Sequence, residues 1–119
     1  MMDDSGQSGV RVTPVVLHVL LSLAGGDAHA YGIMKDVQSR TGGRVSAGPG
    51  SLHYTLTRLQ EAGFIEEAAG SPGVESDARR KYFHITASGR RVLEAELSLW
   101  ADVIEIARAR DLIPGGGSA

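Results

Sequence analysis

Cysteine is absent from the 119 residues, which excludes a disulfide framework and any thiolate metal site and points to a reducing compartment. No stretch of 18 apolar residues occurs, and the opening MMDDSGQSGVR lacks a charged-then-apolar signal pattern. The expectation is a soluble, cytoplasmic chain with no membrane partner. An excess of positive charge is missing too. The formal net charge is −2, so binding to nucleic acid would have to rest on local clustering of cations. Catalytic patterns are also wanting: His18, His29, His53 and His84 are scattered at no ligand spacing, and no Gly-rich phosphate loop or nucleophile–base set is seen. No enzyme activity, catalytic residue, metal site or cofactor is expected.

What is present suits one domain, since 42% of the residues are hydrophobic, enough for one modest core. Residues 1–11 are polar and glycine-rich and are expected to form a disordered tail. In TPVVLHVLLSLAGG, Thr13 can cap a helix, Pro14 suits its first position and Gly25-Gly26 stops it. Apolar residues surround this helix, as expected of one buried at a domain centre. His18 within it reads as a satisfied core or interface residue. Asp27 can cap a second helix, AHAYGIMKDVQSRTGG, with Tyr31, Met34 and Val37 on one face. A third runs from Gly48-Pro49 to Gly63.

The runs FIEEAA and RKYFHIT are short and extended, and the turn-rich GSPGVESDA between them predicts a β-hairpin with a long tip. Thr86 caps a final helix to about Leu112, and Pro114 with GGGSA closes the chain as a flexible tail, residues 114–119. No internal repeat or interdomain linker appears. The fold class is mostly α, of the α+β kind.

On a helical wheel Leu56, Leu59 and Gly63 fall within about 40° of Leu52, a stripe for the core. Tyr54, Thr57, Arg58 and Glu61 lie opposite, with His53 at the edge and Ser51 near the start. Such side chains can contact both base edges and phosphates. A helix N-terminus at Pro49-Gly50 also suits a phosphate. A mixed solvated face fits the same residues; the spacing fixes the face and leaves the ligand open.

Between Arg79 and Leu93 lie Arg79, Arg80, Lys81, Arg90 and Arg91 without one acid. In RKYFHIT a period of two turns Phe83 and Ile85 toward the core. Three short helices followed by a hairpin with a basic return strand form a winged helix-turn-helix, residues 12–86, whose third helix would enter the major groove. Arg79, Arg80 and Lys81 would then hold phosphates, giving affinity and no choice of sequence. Taken alone they also suit an ordinary charged hairpin.

In residues 87–113, Leu93, Leu97, Trp100, Ile104 and Ala107 are spaced by 4, 3, 4 and 3, a dimer seam, and Val92, Leu99, Val103 and Ile106 form a second stripe. Two stripes need two surfaces. A partner subunit would supply the second, and a two-fold dimer would fit a palindromic site.

The segments HAYGIM, GPGSLHYTLTRLQEAGFIEE and RRKYFHITASGRRVL resemble the PadR family of bacterial transcriptional regulators, in order and spacing, from about Val15 to Ala107. Pro49, Gly50, Leu52, Leu56, Arg58, Leu59, Gly63 and Ile65 match the family's central motif, and Ser51 is a close substitute. His53 stands where the family usually has tyrosine, Tyr54 where proline is frequent, and Ala30 where glycine is usual. These departures bear on the DNA contacts and the target sequence.

The resemblance implies double-stranded operator DNA as partner, a homodimer held by the last helix, the branch with a short C-terminus, and repression relieved by a small-molecule effector. It further implies a flat aromatic effector beside Trp100, Leu97 and Val103, against which stands the reading of Trp100 as dimer core. A winged helix that binds protein instead of DNA is the rival class. Salt separates the two, since 6–10 phosphate contacts lose roughly a thousandfold or more in affinity between 50 and 200 mM.

Overall fold

The computed structural model describes residues 10–68 and 81–114. Helix α1 (Pro14–Ala24) begins as expected, with the Thr13 hydroxyl accepting the Val16 N–H at 3.2 Å and Pro14 in the first turn. Val16, Leu17, Val19, Leu20 and Leu23 are buried, and Leu20 is 0% exposed. This helix is the centre of the domain.

The chain then forms a strand too short for any periodicity to announce, β1 (Ala28–His29), and helix α2 (Ala30–Thr41). The cap of α2 is His29, whose Nδ1 accepts the Gly32 N–H at 3.1 Å, and not Asp27. The expected α2 face is also corrected: Ile33 and Val37 are buried, Met34 is partly so, and Tyr31 is exposed. Between α1 and α2 lies a polar clamp. Asp36 accepts from the Ser22 hydroxyl at 2.6 Å and from Arg40 Nε at 2.9 Å. The Arg40 guanidinium also donates to Ser22 Oγ, to the His18 carbonyl and to His18 Nδ1. Burial first, and the Arg40 charge second, hold the His18 pKa below its ordinary value, while hydrogen bonds from Ser22 and Arg40 lower that of Asp36.

Helix α3 (Pro49–Glu61) follows, then β2 (Ile65–Glu67), β3 (Tyr82–Ile85) and helix α4 (Ala87–Ala109). Gly63, with φ of 81°, ends the α3 turn in the left-handed region that glycine tolerates. Strands β2 and β3 pair antiparallel, Ile65 opposite Ile85 and Glu67 opposite Phe83, and β1 pairs on the other side of β3 to give the order β1-β3-β2. The expected hairpin therefore forms within a three-stranded sheet; its long tip lies outside the described residues.

Thr86 is the hinge between sheet and last helix. Its hydroxyl donates to the Gly63 carbonyl at 2.6 Å and accepts from the Gly89 N–H at 3.0 Å. At Gly89 a Cβ would stand 2.1 Å from the Phe64 carbonyl oxygen, so only glycine lets α4 seat this closely. Helix α4 ends at Ala109, earlier than the expected Leu112, with Asp111 at φ of 61° and the Leu112 N–H returning to the Ala107 carbonyl.

Two further expectations change. Val10, assigned by composition to a loose tail, is 6% exposed and belongs to the core. Leu93, expected in the dimer seam, is buried in the domain's own core and is not available to a partner.

Candidate nucleic-acid interface

Helix α3 divides as its spacing requires. Leu52, Leu56 and Leu59 are buried, whereas Ser51, His53 and Tyr54 are exposed, Tyr54 at 63%. Thr57 and Arg58 are half-buried, and the Arg58 guanidinium stands over the Tyr54 ring, 6.0 Å from its centroid. That stacking holds a long cation along the helix surface. The N-cap is Gly48, in extended conformation, with no side-chain hydrogen bond to the first turn. The free N–H groups there point outward with the positive end of the helix dipole, a suitable seat for an anion.

Five candidate contacts thus share one helix: Ser51, His53, Tyr54, Thr57 and Arg58. The hairpin supplies fewer described groups. Arg79 and Arg80 lie outside the described residues, and Lys81, exposed just before β3, can be placed. Its Nζ is 3.6 Å from Glu67, and His84 Nε2 is 2.8 Å from Glu66. The run from Arg79 to Leu93 contains no acid, yet the neighbouring strand brings two carboxylates beside it. The register puts Glu66 across from His84 and Glu67 across from Phe83, one diagonal step from Lys81. Exposed pairs of this kind contribute at most about 1 kcal/mol, so Lys81 can exchange its carboxylate for a phosphate at small cost.

Ile85 is partly buried and Phe83 fully, which fixes the hairpin on the core. His29 packs edge-on against Tyr82 with centroids 5.0 Å apart, tying β1 and the start of α2 to the same strand. The third helix also packs against β2, so it and the described strands share one core.

On α4, Leu97, Leu99, Trp100, Val103, Ile104 and Ile106 are all exposed in the single chain, Trp100 at 46%. Past Leu93 the helix carries its apolar residues beyond the domain's own core. No helix among the described residues is long and apolar enough to cross a membrane.

Comparison with known proteins agrees with this architecture. A PadR family transcription regulator from Clostridium difficile superposes with a TM-score of 0.67 at 23% identity, covering 82% of this chain and 97% of that one. A mutant of Lactococcus lactis ZitR, in complex with DNA, gives 0.59 at 17% identity over 84% of this chain and 60% of its own. In sequence, an uncharacterized 37.1 kDa protein in a transposon of Streptomyces fradiae is 32% identical over 87 residues, 73% of this chain. The chain spans only 23% of that relative's length. The transcriptional regulator PadR-like family matches residues 16–95, from the first turn of α1 into α4, and this chain belongs to that family.

Proposed function

We propose that this regulator binds double-stranded DNA as a homodimer, with α3 in the major groove and the hairpin along the phosphates. The observation that carries the reading is the division of α3, three leucines buried and a polar, aromatic and cationic face left open. Ser51, His53, Tyr54, Thr57 and Arg58 read or position on the groove. Lys81, with Arg79 and Arg80 beside it in sequence, holds the backbone. A two-fold pair of such domains fits a palindromic operator whose half-sites lie about 34–36 Å apart, and occupancy of such a site represses the gene.

Anisotropy of labelled upstream DNA, at about 50 and 200 mM salt, tests the proposal: affinity should fall by roughly a thousandfold or more for 6–10 phosphate contacts. Affinity indifferent to salt would favour the protein-interaction alternative, to which the Glu66 and Glu67 pairs lend some support.

Release by an effector belongs to the same reading. A flat aromatic molecule between paired α4 helices would touch Trp100, Leu97 and Val103. It would act by favouring a dimer in which the two α3 helices no longer match the groove spacing. Titration of planar cationic dyes and phenolic compounds, followed by tryptophan emission, checks this. If none quenches Trp100, and Trp100→Phe leaves the response to the inducer unchanged, the residue is dimer core only.

A further inference from the structure

The last residues before α1 are held in place. Val10 is buried, Val12 packs partly against the core, and Arg11 between them is exposed. The Thr13 N–H donates to the Arg11 carbonyl at 3.1 Å, so the segment turns tightly into the α1 cap. Two apolar neighbours anchored in the core direct the Arg11 side chain outward.

This segment faces α3. Together they line an open groove of about 320 Å³. Val10, Val16 and Leu59 are its buried residues, and Arg11, Tyr54 and Arg58 its polar, more exposed ones. Tyr54 and Arg58 are two of the residues assigned above to DNA. Among the described residues no carboxylate lies within ion-pair distance of Arg11. An exposed guanidinium beside a groove, with no carboxylate at hand, is a ready donor to an anion. A phosphate is the anion that a DNA strand brings to the edge of the major groove.

We propose that Arg11 is a DNA-backbone contact, so that each domain grips the strand beside the major groove from the N-terminal segment as well as from α3. The proposal rests on the reading of α3 as the recognition helix. Arg11 supplies affinity without choosing sequence, because a phosphate carries no base information.

The test is the salt dependence of binding to a fluorescein-labelled duplex of mixed sequence, with thermal unfolding as the folding control. Arg11→Gln should lose about tenfold or more in affinity at 50 mM salt and reduce the salt slope by about one unit per protomer engaged. Arg11→Lys, which keeps the charge, should retain the slope. Arg58→Gln provides the reference for α3. An unchanged slope in Arg11→Gln beside a reduced one in Arg58→Gln overturns the role of Arg11 and leaves α3 as the DNA helix. Wild-type binding that ignores salt overturns the α3 reading itself.

Discussion

Helices α1 and α4 are both rich in large apolar residues, yet one is buried and the other is largely bare. In α1 five of eleven residues are buried; in α4 only Gly89 and Leu93 of twenty-three are. The difference lies in what surrounds each. α1 is covered by α2, β3 and the first part of α4, so its apolar residues on nearly every side find partners in the same chain. Beyond Leu93 the rest of α4 leaves the domain, and Leu99, Val103 and Ile106 meet solvent in the single chain. Hydrophobicity creates the demand for burial; the path of the chain decides who meets it.

Replacing both Leu97 and Ile104 by Asp tests this contrast most severely. The two lie at the edge of the bare face, 36% and 38% exposed. Charges there should leave the domain folded but give monomers by light scattering at micromolar concentration, with loss of operator binding. A wild-type chain that is itself monomeric at that concentration would sink the dimer proposal.

The next effect is on stability. Leu20→Ala, in the centre of α1, should cost about 2–5 kcal/mol in urea unfolding, because the cavity left behind collapses only partly. Leu99→Ala, on the bare face of α4, should cost less than about 0.5 kcal/mol in a monomeric background. Equal costs for the two would mean that the outer half of α4 is covered within its own chain.

The smallest expected effect concerns the clamp on α1. The His18 pKa is below its ordinary 6.5 in the folded chain, so the neutral ring is favoured by folding. Stability from this source is complete above the unfolded value and is lost as pH falls through the lowered folded one. Asp36 acts in the same direction at lower pH, its contribution present above 3.8 and lost as pH falls through its lowered folded value. Between pH 7 and 5 the melting temperature should drop by only about one or two degrees, since the clamp is partly open to solvent. His18→Gln should flatten that drop, and a variant that melts with the wild-type pH profile would remove His18 as its cause.

Local chemistry made much of this fold legible in the sequence. Thr13, Pro14 and Gly25 bound α1, Gly63 closes the α3 turn and Thr86 caps α4, each through contacts within a few residues. The leucine stripe of α3 and the inward Phe83 were equally readable, because helix and strand periods decide which side chains share a face. Position in space was not readable. The two-residue β1 exists because β3 lies alongside with unpaired backbone groups, and that displaced the α2 cap from Asp27 to His29. Glu66 came to face His84 by cross-strand register, and Glu67, opposite Phe83, reaches Lys81 on the diagonal. Leu93 and Leu97 are successive positions of one seam in a seven-residue pattern, yet the seat of Gly89 on the Phe64 carbonyl buries the first and leaves the second at the edge. The sequence by itself determined the four helices, the two hairpin strands and most of their caps and apolar faces, since these depend on neighbours along the chain. Only the tertiary structure decided which of those faces the chain covers for itself, because burial depends on what folding brings alongside.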